Sequence, residues 1–107
     1  MKAFDAHAAA LAAVPAHPAR PATATVHDAP GLRLVVFRLE PGQSVAPHTS
    51  EATVLITVLS GRGTISVGEE LVEAGPGHVV TLAPGEPHGM RATADRFCLL
   101  ATIVRRS

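Results

Sequence analysis

Between Pro41 and Gly63 the chain reads PGQSVAPHTSEATVLITVLSGRG. It enters on a turn dipeptide, passes His48, crosses the apolar segment Val54 to Leu59 and leaves through Gly61-Arg62-Gly63. A run this short between breakers, rich in Val, Ile and Thr, is a strand rather than a helix. β-Branched side chains suit a pleated surface and lose freedom in a helix. The same grammar recurs from Thr23 onward. Thr23 to Asp28, Leu32 to Glu40, Thr53 to Leu59, Thr64 to Gly68, His78 to Leu82, Pro87 to Arg91 and Arg96 to Val104 are strand candidates, separated by APG, EPG, SGRG, AGPG and APGEP. Many short strands joined by close turns predict an all-β antiparallel sandwich or barrel, and nothing suggests βαβ units.

Two of these strands are apolar on both faces: Val54-Leu55-Ile56-Thr57-Val58-Leu59 and Leu32-Arg33-Leu34-Val35-Val36-Phe37. One face fills the interior, so the other needs a cover: a second sheet, the N-terminal segment or another subunit. With 107 residues the chain makes one domain with a modest core, and a homodimer of two-fold symmetry is the expected cover. No apolar run approaches the roughly 18 residues of a membrane helix. Nine basic residues balance nine acidic ones, and the only aromatics are Phe4, Phe37 and Phe97, so the chain has neither the field nor the stacking platform for nucleic acid. Cys98, the single cysteine, excludes an intrachain disulfide and reads as a small core residue in an apolar run. A soluble, cytoplasmic protein is expected.

The N-terminal MKAFDAHAAALAAV is alanine-rich and helix-prone. Phe4, Ala8 and Leu11 share a stripe and Pro15 ends the segment, which predicts a short helix laid against the domain. Asp5 and His7 interrupt the apolar stretch that a secretory signal needs. Pro15, Pro18 and Pro21 make the following residues an extended connector. His7, His17 and His27 share no face and read as solvated. The expected division is residues 1–22 as helix and Pro-rich arm, and 23–107 as a β-barrel domain.

The order of turns and histidines from Gly42 to Gly61, and again from Gly77 to His88, resembles the two motifs of the cupins, small β-barrels of the jelly-roll type. In the first motif a glycine precedes a His-any-His pair, a glutamate and a second glycine. Gly42, His48 and Gly61 fall in register, while Ser50 stands at the second histidine and Val54 at the glutamate. In the second motif Gly77, Gly85 and His88 fall in register, with Ala83 and Ala92 in place of a proline and an asparagine. The resemblance implies a small single-domain jelly-roll (cupin) β-barrel with a short N-terminal helix or arm and a degenerate metal motif.

In metal-binding cupins three histidines and the glutamate together hold one divalent ion. Here the serine hydroxyl is a poor neutral donor and valine offers no lone pair. His48 and His88 alone leave half the coordination sphere to water and the charge uncompensated. The resemblance therefore implies a small-molecule pocket lined by His48, Ser50, Val54, Ile56, Val58, His88 and Met90. It leaves at best a weak or altered site for a divalent transition metal (Zn, Ni, Cu or Fe) on His48 and His88. His48 with Ser50, and His88 with Met90, are spaced to project from one face of their strands, and the Met90 thioether favours copper. The alternative is a metal-dependent enzyme, a dioxygenase or isomerase using the residual two-histidine site. A third reading is an interaction module working through its apolar sheet faces.

Ser50 has no oriented base, and Gly61-Arg62-Gly63 leads into no helix, so hydrolase and phosphate-loop chemistry are disfavoured. His78 is expected to point outward and Glu86, beside His88, to be a solvated loop charge. Arg62, Arg105 and Arg106 read as surface charges.

Overall fold

The computed structural model describes residues 1–105; Arg106 lies outside them. One helix, α1 (Ala6–Ala12), precedes nine strands: β1 (Ala22–Ala29), β2 (Leu32–Leu39), β3 (Ser44–His48), β4 (Thr53–Ser60), β5 (Gly63–Val67), β6 (Glu70–Ala74), β7 (Val79–Leu82), β8 (His88–Ala92) and β9 (Phe97–Val104). They form a five-stranded sheet, β1-β2-β9-β4-β7, and a four-stranded sheet, β3-β8-β5-β6. Every paired neighbour is antiparallel. From β2 onward every connection except β5/β6 passes from one sheet to the other, which is the jelly-roll course that the resemblance implies.

The interior follows from alternation. In β4, Val54, Ile56 and Val58 are buried while Leu55, Thr57 and Leu59 point outward and are half-buried. β9 supplies Phe97, Leu99 and Ala101 beside them, and Leu39, Ile65, Leu82 and Met90 close the same cluster from the other strands. Each large aliphatic side chain so enclosed contributes about 1.5–3 kcal/mol.

The outward faces are covered in part by α1. Ala10, Val36 and Cys98 form a second buried cluster, with Ala6, Ala9, Leu59 and Leu100 packed against it. The helix does lie against the domain, but not through the expected stripe: Phe4, Ala8 and Leu11 are exposed and the alanine face is buried instead. Small side chains let the helix axis approach the sheet closely, and the larger Phe4 and Leu11 stay outside. Phe4 packs edge-on against the His27 ring, centroids 6.0 Å apart, so that histidine is partnered rather than only solvated.

Both helix ends are tied. The Asp5 carboxylate accepts from the Ala8 amide at 3.0 Å, an N-cap. Arg38 Nη1 donates to the carbonyls of Ala10, Leu11 and Ala13 at 2.7, 2.8 and 2.9 Å, satisfying the last turn and complementing its dipole. Two strands are absent from the strand candidates: β3, broken by Pro47 and foreseen only as a strand carrying His48 and Ser50, and β6, an edge strand whose Glu70 and Glu73 break the apolar pattern. Among the described residues no helix is long and apolar enough to cross a membrane.

Candidate functional site

The two motif segments meet on the four-stranded sheet. The Gly42 amide donates to the Ala92 carbonyl at 3.1 Å and the Ala92 amide to the Gln43 carbonyl at 2.9 Å; β3 and β8 then run antiparallel until His48 stands across from His88. Between Val45 and His48 the register slips, an extra β3 residue forming a bulge against β8. Without the bulge Val45 and His48 would point to opposite faces; with it His48 faces the same side as His88. Gly89 makes room for this course, since a Cβ there would lie 2.7 Å from the Val45 carbonyl oxygen.

The imidazole centroids are 4.3 Å apart with the planes tilted by 55°. His88 is 5% exposed, whereas His48, on an edge strand, is exposed. Each ring is oriented by the carbonyl two residues before it: His48 Nδ1 lies 3.2 Å from the Ala46 oxygen and His88 Nδ1 2.9 Å from the Glu86 oxygen. A carbonyl only accepts, so Nδ1 carries the proton in both rings, and in the neutral form both Nε2 lone pairs are left for another partner.

Met90 lies two residues along β8 from His88, and Val54, Ile56 and Val58 lie on the facing sheet; all four belong to the packed interior. Ser50 departs from the spacing argument, because β3 ends at His48 and the chain bends. Ser50 Oγ accepts from the Ala52 amide at 3.1 Å, and its carbonyl accepts from the Gly85 amide at 2.8 Å, tying the β3–β4 loop to the β7–β8 loop. The hydroxyl therefore braces a loop instead of standing beside His48 on a strand. Glu86 Oε1 accepts from the Ala83 amide at 2.8 Å, so its carbonyl rather than its carboxylate orients His88. His78 is exposed and caps its own turn through the Gly75 amide at 2.9 Å.

Among the described residues no group of three or more His, Cys, Asp or Glu gathers around one point. With Ser50 turned to its loop and no lone pair on Val54, the donors present do not fit the four-ligand metal site that the fold family implies.

A cleft of about 770 Å³ opens at the same end of the molecule, its rim formed by the two loops that follow His48 and precede His88. Ala52, Pro84, Ile103 and Val104 give it apolar walls, and Arg33, Glu51 and Arg105 give it charge. Arg33 is in register with Ile103, which is itself in register with the buried Val54, so it sits at an inward position. Arg33 belongs to no motif in the sequence. The available signal was its parity with Val35 and Phe37, a cation on the face of a strand that otherwise fills the core.

Residues 35–104 match the profile of the family described as Cupin domain. No curated protein matches the sequence. Among solved structures, an RmlC-like cupin protein from Desulfovibrio desulfuricans superposes with a TM-score of 0.81 at 30% identity, over 97% of this chain and 96% of that one. The TT1209 protein of Thermus thermophilus gives 0.83 at 26% identity, over 99% and 100%. The DMSP lyase DddQ from Ruegeria pomeroyi gives 0.75 at 22% identity over 80% of this chain and 47% of its own length, a likeness of fold alone. Since the matched span runs from the middle of β2 to the last residue of β9 and takes in both histidine strands, the chain belongs to the cupin family.

Proposed function

We propose that this cupin binds a small molecule at the end of the barrel where His48 and His88 stand, above an apolar floor of Val54, Ile56, Val58 and Met90, with Ser50 in the rim. The histidine pair carries this reading. Two rings 4.3 Å apart, each held through Nδ1 by its own strand, present two Nε2 acceptors for which the packed core has no use. Acceptors of this kind recognise hydroxyl or N–H donors, and side chains already oriented lose little freedom on binding. Side chains fill the interior, so the ligand sits among the loops rather than within the barrel.

The same observation favours one second reading, a metal-dependent enzyme of the dioxygenase or isomerase kind. A ring anchored through Nδ1 to a carbonyl, with Nε2 left over, is how metal-binding histidines are commonly oriented. The fold's likeness to a lyase is compatible with catalysis without assigning it.

The protein is further proposed to act as a two-fold homodimer in the cytoplasm. Away from α1, Leu32, Val79 and Val104 on the outer face of the five-stranded sheet are 36, 52 and 44% exposed, which supports a second copy as cover. Cys98, buried and free, supports a reducing compartment.

Thermal shift distinguishes these readings. Untagged protein is stripped with a chelator and screened against small metabolites, then screened again with Zn, Ni, Cu or Fe(II), with bound metal measured by elemental analysis. His48→Ala is the control because removing an exposed ring leaves the core intact. A ligand-dependent rise in Tm in chelator that His48→Ala abolishes supports the binder. Stoichiometric metal with turnover, both lost in His48→Ala, supports the enzyme. No response under either condition removes both.

A further inference from the structure

We infer that the cleft beside the histidine loops takes the carboxylate of an organic acid, gripped by Arg33; this rests on the small-molecule-binding reading and names the ligand's class. Arg33 is half-buried at an inward position of β2. Its Nη2 donates to Thr25 Oγ1 at 3.2 Å, but its Nε is buried and has no hydrogen-bond partner among the described residues. Buried donors are nearly always paired, so an orphan on a charged group marks a missing acceptor.

The obvious internal acceptor is already taken. Asp28 stands across from Arg33 in the β1–β2 register, yet its Oδ1 pairs with Arg105 Nη2 at 2.7 Å. Arg33 and Arg105 therefore both border the cleft, and of the two Arg105 is already paired, with Asp28. Glu51 also lines the cleft from an exposed loop and forms no ion pair among the described residues.

Of the remaining walls, Ala52, Pro84, Ile103 and Val104 are apolar, while Ser50 and Thr53 carry hydroxyls, that of Ser50 already engaged by the Ala52 amide. A guanidinium offers parallel N–H donors that match the two oxygens of a carboxylate. An oxyanion without a hydrocarbon body would use the arginine and leave the walls idle; an organic acid uses both. In the resting rotamer Nε is sealed from water, so the guanidinium turns toward the cleft when the acid arrives and gains its missing acceptor.

The test reads the orphan atom directly. ¹⁵N-labelled protein is titrated with benzoate, hexanoate, benzamide and inorganic phosphate while the arginine Nε–H signals are followed, Arg33 being assigned by its loss in Arg33→Lys. Benzoate or hexanoate is expected to move the Arg33 signal saturably and benzamide to leave it in place. Arg33→Lys keeps the charge but loses the fork, and should weaken the acid about tenfold, read from the Ile103 and Val104 amides. Should that variant fold poorly, the Arg33 Nε–H is assigned in the wild-type protein by through-bond correlation to its own backbone amide, and its response to the four probes decides.

The proposal is overturned if neither acid moves the signal into the high-millimolar range, if benzamide moves it equally, or if phosphate alone does. It is also overturned if the signal follows protein concentration without ligand, since a second copy then supplies the acceptor. The ring signals of His48 and His88 separate the two failures. If they respond to a metabolite while Arg33 stays silent, the binder reading stands and the organic acid at Arg33 does not.

Discussion

Gly61 turns the corner between β4 and β5 at φ 75°, where a Cβ would overlap the Arg96 carbonyl. A methyl group there meets the main chain of the neighbouring corner and adopts a left-handed conformation as well. Gly61→Ala is therefore expected to destabilise the fold by about 3 kcal/mol, read as a lower urea midpoint with an unchanged slope. The glycine was legible as a turn and as a motif position; the carbonyl that forbids a side chain comes from the β8–β9 corner and was not.

Glu40 shows a second residue-scale effect. A hydrogen bond from Arg96, at 2.9 Å, holds its carboxyl below the ordinary value of 4.5; partial desolvation opposes the shift, and Arg38, at 3.0 Å, adds to it. A carboxyl depressed in the folded state stabilises the protein above its unfolded-state value and loses that contribution as pH falls through the folded-state value. Stability should decline on acidification below about pH 4.5, and Glu40→Gln should flatten that part of the profile, measured by denaturation at a series of pH values. The pair is partly exposed, so the difference is small and shrinks in salt.

At the scale of the element, α1 depends on what it is docked to. A helix of seven residues has little stability of its own. It persists because alanines sit on Val36 and Cys98 and because Arg38 closes its C-terminal carbonyls. Arg38→Met keeps the stem and removes the donors. It should cost about 2 kcal/mol and release the helix, seen as faster amide exchange in α1 ahead of the barrel strands. The helix itself was readable from its alanines and from Pro15. Its buried face was not, because hydrophobicity ranks Phe4 and Leu11 above alanine while close packing on a sheet favours the smaller side chain. β6 escaped for a related reason: an edge strand with Leu71 exposed carries no core pattern to read.

At the scale of the whole molecule, the five-stranded sheet leaves an apolar strip beyond α1 where Leu32 pairs with Val104 across β2 and β9. If this face joins two copies, Leu32→Glu combined with Val104→Glu should convert a dimer to a folded monomer in sedimentation velocity. A wild-type monomer at micromolar concentration would remove the homodimer proposal.

Near neighbours in the chain specify most of the strands, the turns between them and the two motif histidines, because turns and period-two alternation are local; β3 and β6 escaped, and the jelly-roll course followed from the resemblance to the cupin motifs rather than from the pattern. Tertiary structure alone decided the rest. It buried His88 and exposed His48, bent Ser50 off its strand, filled the barrel with Val54, Ile56, Val58 and Met90, and left Arg33 Nε without an acceptor. Each of those outcomes depends on which side chain stands opposite across a sheet or between sheets, and such partners lie tens of residues away in the chain, as Arg33 and Ile103 do.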